Sequence, residues 1–152
     1  MKPFTEGQER RGRQFIRLVG RFNIWLYRKT NGRFGAKMPG YAAPICLLTT
    51  TGRRSGMART VPLLYMPDGE RVVVVASVGG MSKNPEWYLN IVASPKVTVD
   101  IDGDARAMLA HTATPEERVR LWPLLVAMYP PYETYQQRTT REIPVVICTP
   151  EF

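Results

Sequence analysis

Between residues 9 and 29 the apolar positions recur at three- and four-residue steps: Phe15, Leu18, Val19, Phe22, Trp25 and Leu26. This period predicts an amphipathic helix from Glu9 to Lys29. At about 100° per residue, Arg10, Arg17, Arg21 and Arg28 gather on a different face of it. A Gly- and Pro-containing loop follows, from Asn31 to Tyr41. From Ala42 the pattern changes to short apolar runs, which predict strands at Ala42–Thr50, Arg59–Met66, Arg71–Ser77, Lys96–Asp102, Ala105–Ala113 and Ile143–Thr149. Pro67-Asp68-Gly69-Glu70 and Gly103-Asp104 are hairpin signals. The third run holds four consecutive valines, Val72 to Val75, and predicts a strand buried on both faces. Asn84 as N-cap and Pro85 at the first helical position start a short helix that runs to Ala93. Thr114 and Glu117 form a capping-box signature for a helix to Met128. Pro130-Pro131 interrupts that helix, and Tyr132–Arg138 resumes as a helical turn. Six short strands joined mainly by hairpins close most readily into a small barrel, which leaves no edge strand exposed.

A length of 152 residues, with 44% hydrophobic and 22% charged positions, fits one globular domain and excludes a disordered or disulfide-scaffold chain. We expect one domain over 1–152, with a basic helix and loop in 1–40 and a barrel in 41–152. No apolar run approaches the roughly 20 residues that span a bilayer, and the N-terminus lacks a secretory h-region. Cys46 and Cys148 lie in the apolar runs PICLL and VVICT, which predicts buried thiols in a reducing cytoplasm. His111 is the one histidine, and no Cys-x-x-Cys pair accompanies it, so no metal site is expected. Its strand-like surroundings give it a structural role.

The net charge is +8, and its distribution is uneven. Residues 1–40 hold ten Lys/Arg against two Asp/Glu, whereas the rest holds eleven of each sign. A neutral barrel offers no electrostatic track for a nucleic-acid strand. The basic helix has two readings. Its apolar stripe packs on the domain core, or residues 9–29 lie on an anionic membrane surface.

Gly52-Arg53-Arg54-Ser55-Gly56, followed by Arg59, is the foremost anion-binding candidate. Glycines bounding a turn let successive N–H groups converge as a nest, and guanidinium forks suit phosphate or carboxylate. The plain alternative is a solvated hairpin turn. The segment is neither a P-loop nor a Rossmann fingerprint. Ser77-Val78-Gly79-Gly80 leaves the valine strand into glycines that admit a flat ligand close to the backbone, or it is an ordinary loop. Trp87 and Tyr88 suit either core packing or ring stacking. Tyr129, Tyr132 and Tyr135 share one face if their segment is helical, and they either donate protons into an apolar pocket or form a structural cluster.

Several blocks resemble the deazaflavin-dependent nitroreductase family: Leu48 to Gly56 (LTTTGRRSG), Lys83 to Asn90 (KNPEWYLN), Trp122-Pro123, Met128 to Tyr132 (MYPPY) and Ile143 to Val146 (IPVV). The likeness covers about four-fifths of the chain, from Trp25 onward. It implies an α+β, mainly β fold, the pyridoxamine-phosphate-oxidase-like split barrel of about six mostly antiparallel strands, with an N-terminal amphipathic helix and two to three further helices. It implies coenzyme F-420, an 8-hydroxy-5-deazaflavin with a phospholactyl-oligoglutamate tail. Arg53, Arg54, Ser55 and Arg59 would hold that tail. Thr60, Val61, Pro62, Leu63 and Leu64 would form one wall of the ring channel. Val75, Ala76, Ser77 and Val78 would form a second, and Glu86, Trp87, Tyr88, Leu89 and Asn90 a third. Ser77, Tyr129, Tyr132 and Tyr135 would face the substrate, with Tyr132 as proton donor or substrate orienter and also a cofactor contact. Some relatives carry lysine in place of Val78, and some methionine in place of Glu86. The implied activity is hydride transfer to a quinone such as menaquinone, to an enone or to a nitroaromatic, at the inner face of the cell membrane. An FMN-binding split-barrel oxidoreductase and a non-catalytic deazaflavin or lipid carrier are the alternatives.

Overall fold

The computed structural model describes residues 2–30 and 37–151. Part of the expected Asn31–Tyr41 loop, residues 31–36, lies outside them. Helix α1 (Glu6–Lys29) begins three residues before the hydrophobic period does. Thr5 supplies the reason. Its side chain accepts from the Gln8 N–H while the Gln8 amide oxygen accepts from the Thr5 N–H, a reciprocal cap that satisfies two of the helix's orphan donors.

Six strands follow: β1 (Ile45–Thr51), β2 (Ala58–Asp68), β3 (Arg71–Val75), β4 (Lys96–Ile101), β5 (Asp104–Thr112) and β6 (Val145–Pro150). They close into a barrel in the order β1-β2-β3-β6-β5-β4, every pair antiparallel. Helix α2 (Glu86–Ala93) lies between β3 and β4, and α3 (Pro115–Met128) and α4 (Pro131–Arg138) between β5 and β6. The split barrel read from the resemblance is therefore present, with three helices beyond α1.

The valine strand shows how the core is arranged. Val72 and Val74 point into the barrel with Cys46, Leu48, Val97, Val99 and Val146. Val73 and Val75 point outward against Leu121, Leu125, Tyr129, Tyr132 and Ile147. Alternation along one strand thus divides two apolar cores, one inside the barrel and one beneath α3 and α4. Cys46 and Cys148 are buried free thiols inside the barrel. Burial pushes both upward, Cys148 to about 12, so they remain protonated. His111 sits exposed on β5, with Nε2 3.2 Å from Oε1 of Glu117, the carboxylate that completes the Thr114 capping box of α3.

Two local expectations need correction. Asn84 does not cap α2. Pro85 occupies the cap position, no side-chain cap is made, and the Asn84 side chain instead accepts from Arg141 Nη1 at 2.9 Å. The second concerns α1. Phe15, Leu18, Phe22 and Trp25 are 68, 67, 63 and 55% exposed, so the stripe does not pack on the core. The opposite face of the helix carries the contacts. Gly20 lies over Pro62, and the buried Tyr27 hydroxyl accepts from the Asp102 N–H and donates toward Asp100.

Candidate cofactor site

The turn joining β1 to β2 is a tight elbow. The Gly52 N–H donates to the Met57 carbonyl at 2.8 Å, and the Gly56 N–H to the Gly52 carbonyl at 2.8 Å. The Met57 N–H donates to Ser55 Oγ at 3.2 Å, and the Arg53 N–H to Asn90 Oδ1 at 3.2 Å. These four N–H groups have partners within the protein, whereas those of Arg54 and Ser55 have none among the described residues, so the tip of the turn keeps two successive donors beside its arginine side chains.

Those side chains are well placed. Asn90 is buried and donates to Thr50 Oγ1 at 3.1 Å. Its Oδ1 also accepts from Arg53 Nη1 at 3.2 Å, so backbone and guanidinium of Arg53 hang on one amide. The same Nη1 lies 2.6 Å from Glu86 Oε2. That hydrogen bond holds the Glu86 carboxyl below the usual carboxylate range, and the charges of Arg53, Arg54 and Arg13 add to it. The side chains of Arg54 and Arg59 make no hydrogen bond or ion pair among the described residues, and both residues are exposed.

Of the expected channel walls, Thr60 shares a 2.8 Å hydrogen bond with Thr49, and Val61 and Leu63 are half-buried toward the barrel core. Pro62 lies under α1, and Leu64 turns toward the outer core. Val75, Ala76 and Trp87 are buried in the two cores, so their side chains are taken up by packing. Tyr88 is half-buried and bonds Thr112 Oγ1 at 2.9 Å, and Leu89 is half-buried.

After β3 the chain turns sharply. Val78, Gly79 and Gly80 all have positive φ, at 44, 62 and 78°. For a β-branched valine this is a strained conformation. A Cβ on Gly80 would lie 2.5 Å from the Tyr135 carbonyl oxygen, so glycine is what allows this turn to touch α4. Arg141 fastens the turn from beneath. Its Nε donates to the Met81 carbonyl (2.9 Å), Nη1 to the Ala76 carbonyl (3.2 Å) and Nη2 to the Ser77 carbonyl (2.9 Å). Together with the Asn84 contact, these bonds hold the segment that runs from the valine strand to α2. Nothing in the local sequence marks Arg141, because its acceptors lie some 60 residues away.

Tyr132 and Tyr135 lie on α4, and Tyr129 joins them from the non-helical cap position after α3, so the three meet although the segment is not continuously helical. Tyr129 and Tyr135 hydroxyls are 3.0 Å apart, and the Tyr129 and Tyr132 rings meet edge-on at 4.9 Å. Tyr41 packs on Tyr129 at 4.7 Å, and Trp122 lies 6.3 Å from Tyr132. Tyr132 is 4% exposed. Its hydroxyl has no hydrogen-bond partner among the described residues, yet no fully buried side-chain oxygen is left unpaired, so this hydroxyl keeps access to solvent space. Burial pushes the Tyr132 and Tyr129 phenols well above their ordinary range, and both are neutral at pH 7.

Helix α1 is tied to the loop that precedes α2. Glu9 accepts from the Ser82 N–H and hydroxyl, both at 2.8 Å, and Arg13 Nη2 donates to the Lys83 carbonyl at 3.2 Å. Farther along, Gly20 meets Pro62 of β2. The helix therefore bridges β2 and the 81–83 loop.

A closed six-stranded antiparallel barrel that carries a cationic elbow and a phenol cluster defines the split-barrel class. Comparison with known proteins agrees. A family model described as F-420H(2)-dependent quinone reductase matches residues 19–150. The chain is 39% identical over 127 residues to an F-420H(2)-dependent quinone reductase of Mycobacterium tuberculosis, covering 82% of this chain and 85% of that one. A solved F-420-H2 dependent reductase (FDR-A) superposes with a TM-score of 0.65 at 43% identity, over 69% of this chain and 93% of that one. A Listeria innocua protein described as a pyridoxamine 5'-phosphate oxidase shares the fold alone, with a TM-score of 0.52 at 16% identity over 71% of this chain and 84% of that one. The chain belongs to the F-420H(2)-dependent quinone reductase family. It is an oxidoreductase whose cofactor is coenzyme F-420. The elbow's donor set fits that group: three guanidinium forks, one already clasping a carboxylate, suit an anionic tail.

Proposed function

We propose that this chain passes hydride from reduced coenzyme F-420 to a quinone at an anionic membrane surface. Arg53, Arg54, Ser55 and Arg59 hold the acidic tail, and the half-buried positions of β2 and α2 flank the rings. The bound deazaflavin supplies a two-electron hydride. Tyr132, neutral and with an unclaimed hydroxyl, gives a proton to the oxygen that develops negative charge on the acceptor. Ser77, whose hydroxyl makes no hydrogen bond among the described residues, orients that oxygen. Tyr129 and Tyr135 hold one another and pack against Tyr132, fixing its ring. Enones and nitroaromatics present a comparable oxygen and are secondary acceptors.

The membrane half of the reading rests on α1. Its inner face is tied to the barrel and to the 81–83 loop, and its outer face offers exposed Phe15, Leu18, Phe22 and Trp25 beside exposed Arg10, Arg17 and Arg21. An apolar face flanked by arginines lies well at an anionic lipid interface. No helix among the described residues is long and apolar enough to cross a bilayer.

The observation that carries the reading is the elbow, where Arg53 is preset by Asn90 and takes a carboxylate at 2.6 Å. Replacing Arg53, Arg54 and Arg59 by glutamine is expected to weaken coenzyme F-420 binding by about a hundredfold or more, because each charge-assisted hydrogen bond contributes about 1.5–3 kcal/mol. Fluorescence titration measures it, and an unchanged dissociation constant would overturn the assignment. Titration with FMN in parallel tests the alternative cofactor. Oxidation of reduced F-420 by a menaquinone, followed by absorbance, tests turnover and separates an enzyme from a carrier.

A further inference from the structure

The elbow contains a carboxylate of its own, where the proposed function needs an anion from outside. Glu86 Oε2 sits 2.6 Å from Arg53 Nη1, in the position an acidic ligand of that arginine would occupy. Arg54 and Arg13 also act on it by charge, so one carboxylate is shared by cations from the elbow and from α1. The two anchors of Arg53 differ in kind. Asn90 is buried and holds Arg53 through both its backbone N–H and its guanidinium. Glu86 has a side chain 63% exposed and is the first residue of α2. An ion pair this open to water is worth about 1 kcal/mol at most, so it yields to a ligand that brings several negative charges. If Glu86 swings away, Asn90 still holds the guanidinium in place.

We propose that Glu86 is an internal counter-ion that occupies Arg53 when no ligand is bound and is displaced by the acidic tail of the cofactor, so that it sets both the affinity for the tail and the tail's charge requirement. The inference rests on the proposed binding of the tail at this elbow. It assigns Glu86 a specificity role rather than a place in the wall of the ring channel. A ligand with a single weak anion gains little by displacing a carboxylate that is already well placed. A phosphate followed by several carboxylates engages Arg54, Arg59 and Arg13 as well, and outcompetes it. The device therefore discriminates in favour of polyanionic tails.

The test uses the whole chain, two probes and two variants. Coenzyme F-420 carries the tail, and the tail-free 8-hydroxy-5-deazariboflavin does not. Glu86→Gln and Glu86→Met both remove the charge, and only glutamine keeps a hydrogen-bonding arm. Both variants are expected to bind coenzyme F-420 roughly three- to fivefold more tightly at low ionic strength, with a steeper fall in affinity as salt rises. Binding of the tail-free probe should change less than twofold. Thermal melts of each variant report that the fold is retained. Unchanged or weaker binding of coenzyme F-420 in both variants would overturn the proposal, and so would an equal gain for the tail-free probe. If the unsubstituted chain does not prefer the tailed cofactor over the tail-free one, tail binding at the elbow fails as well, which distinguishes the two claims.

Discussion

Tyr132 is enclosed by rings, yet its hydroxyl is not sealed off, and that pairing is what a proton donor in an apolar pocket needs. Because burial raises its phenol, Tyr132 stays protonated from neutral pH past pH 10 and contributes no alkaline decline in that range. Tyr132→Phe should lower kcat for quinone reduction by roughly a hundredfold, the lower bound for losing a positioned general acid, with coenzyme F-420 affinity little changed. Steady-state rates from pH 6 to 10, with a separate binding titration, check both parts. At this scale the sequence was partly legible. Three arginines within seven residues marked the elbow, and the tyrosine spacing pointed to a cluster, although Tyr129 reaches it from outside the helix that the spacing assumed. The partners that give these residues their state were not legible, since Asn90, Glu86 and Arg141 act across separations of 37, 33 and 57 to 65 residues. Residue type alone carries no signal for such pairings.

Among the elements, the reach of each apolar run was readable and its ends less so. Ends depend on caps and on what lies beyond, as Thr5 and Gln8 show by starting α1 early. Asn84 looked like a cap, but Arg141 claims its side chain, a competition visible only in three dimensions. The β2–β3 turn is tied to α3 in a similar way. Asp68 accepts from Arg71 Nη2 at 2.5 Å and from both Nη atoms of Arg120, at 3.1 and 2.8 Å. The hydrogen bonds from Arg120 and Arg71 lower its carboxyl from the ordinary 3.8 to about 2. A carboxyl depressed in the folded state stabilises the fold above its unfolded value and loses that contribution as pH falls through the folded one. Asp68→Asn should therefore be less stable than the parent above pH 4, and the two should converge as pH approaches 2. Urea unfolding from pH 2 to 6 measures the convergence, and a gap of constant size would refute this account.

For the molecule as a whole, the organising fact is that most of its excess basic charge and its exposed aromatic stripe share one helix, while residues 41–152 are neutral. We expect the chain to bind vesicles containing anionic lipid, more weakly as salt increases, and Phe22→Glu with Trp25→Glu to abolish binding while coenzyme F-420 affinity is retained. Co-sedimentation reads the first and fluorescence titration the second. Light scattering shows whether a second copy of the chain covers the stripe instead, the outcome that would set the membrane reading aside. Deleting residues 1–30 is a poorer test, because it removes Tyr27, whose buried hydroxyl secures the β4–β5 turn. The sequence by itself determined the amphipathic helix, the strand count, the doubly buried valine strand and the cationic elbow. Each of these depends on local period, local chain stiffness or local charge. Only the tertiary structure decided that the apolar stripe of α1 faces outward and that the elbow already holds a carboxylate. Which face of a helix is covered, and which distant group reaches a given arginine, depend on how the barrel closes and what it brings alongside.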